Sequence, residues 1–327
     1  MMICLIESPY QAFVLDQMIH NEIIKEKELT IFVNDKNLEN GSFLESIINK
    51  LSFKNLHIKI IKKSLFSFQN LAYLFFKGVF SKKIVIGDIL SPWMSSFARY
   101  MNFDEVYLLE DGTSQFVDNS EIEECIKSFK KVKRFSLISD ESILKDAKTK
   151  IIKIDIRVLN SDNKVPEFVK VIEQNPDLPL FFGAPIVSFN EYHQDKYNNI
   201  CLDALGTDMK KNQISAIYLQ HRREIANMLP ENFIKLVSGG LDFAFLKLDS
   251  DIRTKVLNQK KIVSFASTSL CILARSGLLR NIDKIIIIQV CDLGYRFQQR
   301  HNKLVDFVSK ILEEEGVSVS VFKTSNS

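Results

Sequence analysis

The chain has 327 residues, 46% of them apolar and 25% charged, with 11 Gly and 7 Pro. That length accommodates about two domains of ~150 residues, and the composition excludes a small disulfide-stapled module, a collagenous repeat and a low-complexity chain. Lys plus Arg number 43 against 40 Asp plus Glu, a net charge of +3, so there is no chain-wide cationic field and nucleic acid is not an expected partner.

Met2–Ile6 is an apolar, strand-like run that meets Glu7 before a signal-peptide core can form, so nothing marks export. Further strands are predicted at Leu29–Val33, Leu56–Ile61, Lys83–Ile86, Glu105–Leu109, Arg134–Ile138 and Ile151–Ile156. Helices are predicted at Tyr10–Asn21, Ser42–Leu51, Phe68–Phe80 and Trp93–Asn102. The most apolar long stretch, Ser64 to Phe80, is interrupted by Ser67, Gln69, Asn70 and Lys77 and does not read as a spanning helix. The polar run Asn160 to Pro166 reads as an inter-domain loop. Beyond it, strands are predicted at Leu178–Gly183, Ala216–Leu219, Phe243–Leu246, Lys261–Phe265, Lys284–Gln289 and Ser318–Phe322. Helices are predicted at Asn190–Thr207, Glu231–Ser238, Ser269–Leu279 and Gln299–Glu315.

Short β-rich runs alternating with helical stretches predict an α/β class with parallel sheets covered on both faces. Two such halves, 1–160 and 161–327, are expected to face each other across a ligand cleft, with the last helix free to pack back on the first half. The five cysteines Cys4, Cys125, Cys201, Cys271 and Cys291 are scattered and show no CxxC spacing. They read as reduced thiols of a cytoplasmic protein with no metal site.

Three segments could carry chemistry. Glu105 to Thr113 is a buried strand that delivers two adjacent carboxylates, Glu110 and Asp111, to its end, where Gly112 frees the backbone to turn. Paired, partly desolvated carboxylates raise the pKa of at least one partner, which suits a general base; the competing reading is an acidic turn that caps the next segment. Ala216 to Glu224 ends in His221, Arg222 and Arg223, donors suited to a phosphate; the competing reading is a solvated helix start. Ile262 to Leu270 runs into Ser267, Thr268 and Ser269 before an apolar helix, an anion site at a helix start or simply an N-cap. Glu7, Ser8, Pro9, Tyr10 and Gln11 lie at the first strand-to-helix turn, where a substrate contact and an ordinary helix start are both consistent. Asp249 and Asp251 read as a cap rather than a metal motif. Lys127, Lys130, Lys131, Lys133 and Arg134 form a solvated face or a contact for an acidic glycan or an anionic membrane surface.

In order, Glu110-Asp111-Gly112, His221-Arg222-Arg223 and Ser267-Thr268 resemble the motifs of bacterial sialyltransferases and polysialyltransferases of GT-B architecture, whose hallmarks are an acidic-acidic-glycine motif, a His-Pro motif and a Ser-Ser/Thr pair. Ile6 to Gln11 and the Gly183-Ala184-Pro185 turn look like family turns as well. Arg222 stands where the family has proline. The resemblance implies two Rossmann-like domains and inverting, metal-independent transfer of sialic acid, or a related nonulosonic acid, from a CMP-activated donor to a glycan or glycolipid acceptor of the bacterial surface, capsule or lipooligosaccharide. The CMP-sugar is then a co-substrate and no cofactor is implied. In that scheme Asp111, or its neighbour Glu110, is the base, with Glu191 beyond Pro185 as a further carboxylate. His221 is the second catalytic group, supplying charge or a proton to the leaving phosphate, and Arg222, Arg223, Ser267, Thr268, Ser269, Gly183 and Pro185 hold the donor. The implied location is cytoplasmic, with a peripheral position at the inner membrane face. Two other readings keep the two-domain fold: a UDP- or GDP-sugar transferase, and a two-lobed small-molecule binder without catalysis.

Overall fold

The computed structural model describes residues 1–35, 56–62, 68–112, 120–138, 149, 151–156, 166–183, 194–206, 215–220, 233–237, 245–246, 248, 250–291, 293 and 295–324. The chain divides into two compact units, Met1–Arg157 and Val158–Ser327.

The first unit carries seven parallel strands: β1 (Met2–Ile6), β2 (Leu29–Asp35), β3 (Leu56–Lys62), β4 (Lys83–Ile86), β5 (Glu105–Leu109), β6 (Val132–Ser136) and β7 (Ile151–Lys153). Their order across the sheet is β3-β2-β1-β4-β5-β6-β7. The described helices of this unit are α1 (Pro9–His20), α2 (Phe68–Val79), α3 (Pro92–Met101) and α4 (Ser120–Ile126). β1 and β5 are buried along their whole length, as expected of central parallel strands covered on both faces. α1 starts where Ser8 caps it, its side chain accepting from the Gln11 amide, and Pro9 occupies the first turn, where no backbone donor is needed. α3 ends on Asn102, whose φ of 51° places it in the left-handed region. Leu74, Phe97, Met94 and Ile122 pack from α2, α3 and α4 onto Ile84, Val106 and Leu108 of the sheet. α2 approaches α3 closely at Gly78, where a Cβ would lie 2.6 Å from the Met101 side chain.

The second unit repeats the plan with β8 (Leu180–Phe182), β9 (Ala216–Gln220), β10 (Phe233–Val237), β11 (Lys261–Phe265), β12 (Lys284–Gln289) and β13 (Val319–Lys323). All are parallel, in the order β10-β9-β8-β11-β12-β13. Its described helices are α5 (Glu167–Gln174), α6 (Gln194–Leu205), α7 (Ser250–Leu257), α8 (Thr268–Arg275) and α9 (Tyr295–Glu314). The core is aromatic: Phe181 stacks on Tyr218 at 5.2 Å, and the Tyr197 and Tyr218 hydroxyls share a 2.6 Å hydrogen bond.

Each sheet is therefore the doubly wound α/β arrangement that the alternating pattern predicts. Its connections reverse direction once, between β1 and β4 in the first sheet and between β8 and β11 in the second, and the carboxyl ends of the strands at such a reversal form a natural crevice. Two predicted elements are corrected. Glu231–Ser238, read as a helix, contains the edge strand β10. Phe243–Leu246, read as a strand, instead has Phe245 and Leu246 in helical conformation, with Phe245 buried against Phe168 and Phe182. Pro166, read as the end of a loop, is the N-cap residue of α5. The predicted helix Ser42–Leu51 lies outside the described residues.

Candidate functional site

The carboxyl edge of the first sheet gathers the turn after β1, the turn after β4 and the end of β5. Three backbone-directed devices hold these together. The Gly87 amide donates to the Leu5 carbonyl at 2.8 Å, the Gln11 side-chain oxygen accepts from the Glu7 amide at 2.7 Å, and Ser8 Oγ accepts from the Gln11 amide at 3.2 Å. Gln11 is buried, and its carboxamide lies where a side chain on Gly87 would collide with it. Glu7 turns the other way and accepts from Ser91 Oγ at 2.9 Å and from the Trp93 indole N–H, tying β1 to the start of α3.

The two carboxylates at the end of β5 have different environments. Glu110 is buried at 2% exposure. One of its oxygens accepts from the Tyr10 hydroxyl; the other accepts from Ser136 Oγ and from the amides of Leu137, at 3.0 Å, and Ile138, at 3.3 Å. Burial raises its carboxyl above the ordinary range, and these donors pull it part of the way back. Asp111, one residue on, is only partly buried. Its Oδ1 accepts from Gln11 Nε2 at 2.7 Å and from Ser8 Oγ at 3.4 Å. Gly112 follows with a φ of 98°, a left-handed conformation that lets the chain turn away directly behind the carboxylate. The result is a carboxylate at the sheet edge, with Oδ1 held by Ser8, the N-cap of α1, and by Gln11 in its first turn. Chemically, such a group can accept a proton from a hydroxyl placed against it.

On the second sheet, Gly183 ends β8, its amide donating to the Leu219 carbonyl at 3.0 Å. At the neighbouring strand, Ser267 is the N-cap of α8 in extended conformation, its side chain accepting from the Leu270 amide. Thr268 and Ser269 form the first turn, both partly exposed. Thr268 and Ser269 thus present early helix N–H groups, together with hydroxyls, at the reversal point between β8 and β11, an arrangement suited to an anion.

Ser8, Pro9, Gln11, Glu110, Asp111 and Gly112 are therefore assembled on one sheet edge, and Gly183, Ser267, Thr268 and Ser269 on the other. His221, Arg222, Arg223, Pro185 and Glu191 lie outside the described residues. Sequence reasoning included Tyr10 in the first strand-to-helix turn without its role against Glu110, and it missed Gly87 and Ser136. Gly87-Asp88 directly after a buried strand was the available signal for Gly87; nothing local marks Ser136, which reaches Glu110 only through the pairing of β5 with β6. Among the described residues no group of three or more His, Cys, Asp or Glu side chains could hold a metal ion. Among them, too, no helix is long and apolar enough to cross a membrane.

No family model matches the chain, and no curated protein matches it. Among solved structures, a glycosyltransferase from Rickettsia africae ESF-5 is similar to it, with a TM-score of 0.48 and 14% identity over 96% of this chain and 91% of that one. A likeness of that depth assigns no chemistry to this chain.

Proposed function

We propose that the protein is a glycosyltransferase of GT-B type that moves sialic acid, or a related nonulosonic acid, from a CMP-activated donor to a hydroxyl of a glycan, with inversion and without a metal. The observation that carries this reading is Asp111, a carboxylate oriented at 2.7 Å by buried Gln11 at the carboxyl edge beside the β1/β4 reversal. The order of the sequence motifs supports it, as does the hydroxyl-rich start of α8 at the equivalent point of the second sheet.

In this reading the acceptor hydroxyl attacks the anomeric carbon as the bond from that carbon to the phosphate oxygen of CMP breaks. Its proton passes to Asp111. Oxocarbenium character builds at the anomeric carbon, and the negative charge that builds on the departing phosphate needs counter-charge and hydrogen-bond donors. Ser267 and the N–H groups at the start of α8 fill that role, and the sequence motif adds His221 with Arg222 and Arg223. Glu110 acts through Asp111: with four donors around it, it braces the strand end and is a positioning residue.

The test combines binding with turnover. CMP and CDP raise the melting temperature while UDP and GDP leave it unchanged, and Asp111→Asn keeps the CMP shift but lowers kcat with CMP-sialic acid and acceptor by about 10²–10⁴-fold. Stabilisation by UDP or GDP in place of CMP, or full turnover by Asp111→Asn, overturns the reading.

A further inference from the structure

The surface of the first unit carries an aromatic patch that the proposed chemistry does not use. At the end of α2, Phe76, Val79 and Phe80 are 60%, 72% and 63% exposed, and Tyr100 near the end of α3 is 77% exposed. The Phe76 and Phe80 rings meet at 5.0 Å and the Phe75 and Tyr100 rings at 5.4 Å, and helical spacing sets Val79 one turn beyond both Phe75 and Phe76, next to each pair. Side chains this apolar in a contiguous cluster at the surface mark an interaction site. The last turns of α2 and α3 lead into β4 and β5, so the patch lies toward the amino ends of the strands, away from Asp111.

The charge around the patch selects its partner. Lys82 follows α2, and Arg99 neighbours Tyr100 and reaches Ser128 at 3.0 Å, beside Lys127. Lys130 and Lys131 extend the run, and all five cations are exposed. They meet fewer carboxylates. Glu124 pairs with Lys127 at 2.5 Å, Asp104 lies 3.8 Å from Lys130, and Glu105 is covered by Lys131 and Lys133 at 2.9 and 2.8 Å. Glu26 and Glu28, nearby, are engaged by Lys83 and Lys77 at 2.8 and 2.7 Å. Exposed aromatic rings bordered by an excess of cations fit the boundary between headgroups and acyl chains of an anionic bilayer. A second copy docked by this patch on itself would oppose cation to cation, and protein interface cores are depleted of lysine.

We infer that the ends of α2 and α3, with their flanking cations, dock the protein on an anionic lipid surface, Phe76, Phe80 and Tyr100 entering the headgroup boundary. The inference rests on the proposed transfer only for its purpose, which is to hold the enzyme where a glycolipid acceptor is anchored. At about 3.3 Å per residue, the five residues of β5 set the carboxyl edge roughly 15 Å from the amino edge. The acceptor hydroxyl therefore belongs to the outer end of a glycan rather than to the sugar next to the lipid.

The test is co-sedimentation of the full chain with phosphatidylcholine vesicles with and without phosphatidylglycerol, in the absence of any donor, so that it is scored whether or not transfer occurs. Binding appears with phosphatidylglycerol and fades at high salt. The double variant Lys82→Gln/Arg99→Gln weakens it by about thirty-fold, at ~1 kcal/mol per charge. Phe76→Ser/Phe80→Ser abolishes it while the circular-dichroism melting curve is retained. Equal binding to both vesicle types, absence of binding, or a dimer that the Phe76→Ser/Phe80→Ser variant disperses would each overturn the inference.

Discussion

At the scale of single residues, adjacent carboxylates with one motif behind them have opposite fates. Glu110 and Asp111 are indistinguishable as a sequence pair, yet Glu110 is enclosed by Tyr10, Ser136 and two amides, whereas Asp111 reaches the edge. The Glu110 carboxyl is raised from 4.5 by burial, so the native state binds its proton more tightly than the unfolded chain does. Stability is then fully present below pH 4.5 and is lost as pH rises through the raised value. Glu105 has the opposite sign. Burial opposes its ionisation, but Lys133 and Lys131 outweigh that and lower it to about 2. Its contribution is present above pH 4.5 and is lost as pH falls toward about 2. Glu110→Gln, which retains an acceptor for the two amides, flattens the decline above pH 4.5 in thermal melts and leaves the acid limb in place. Glu110→Ala, which strands buried donors, costs roughly 2–4 kcal/mol in urea unfolding.

At the scale of elements, the β1–α1 turn works as a bracket between β4 and β5. Gly87 leaves room for the Gln11 carboxamide, and that carboxamide holds Asp111. Gly87→Ala pushes the flexible Gln11 side chain aside. We expect Gly87→Ala and Gln11→Ala each to lower kcat by about 10–100-fold through misplacement of Asp111. The double variant falls little further, because both changes break the same contact; additive losses in a double-mutant cycle would show that they act separately. Element reading from the sequence failed where length could not arbitrate. Phe233, Ile234, Leu236 and Val237 have helical spacing, but the segment pairs with β9 as an edge strand. Phe245 and Leu246 look like a buried strand and are a buried helical turn. Short apolar runs fit both periods, and only packing partners decide between them.

At the scale of the whole molecule, both units share the order in which the first strand of each lies inside the sheet beside a later one. The first unit has its own core beneath α2, α3 and α4. Met1–Arg157 produced alone is expected to unfold in one cooperative transition by calorimetry and to retain vesicle binding; a broad, non-cooperative melt would show that its core needs the rest of the chain. The alternating apolar runs were sufficient for the α/β class, the parallel sheets and nearly all strand positions, because buried parallel strands and amphipathic helices follow from local hydrophobic pattern alone. The carboxyl-edge position of Glu110-Asp111-Gly112 was legible for the same reason. Which carboxylate faces out, which residues hold it, and where the exposed rings of α2 meet Tyr100 were not. Those features depend on side chains distant in sequence: Phe75 meets Tyr100 across two helices, and Tyr10 with Glu110 and Gln11 with Asp111 are 100 residues apart until closure of the sheet brings them within hydrogen-bonding distance.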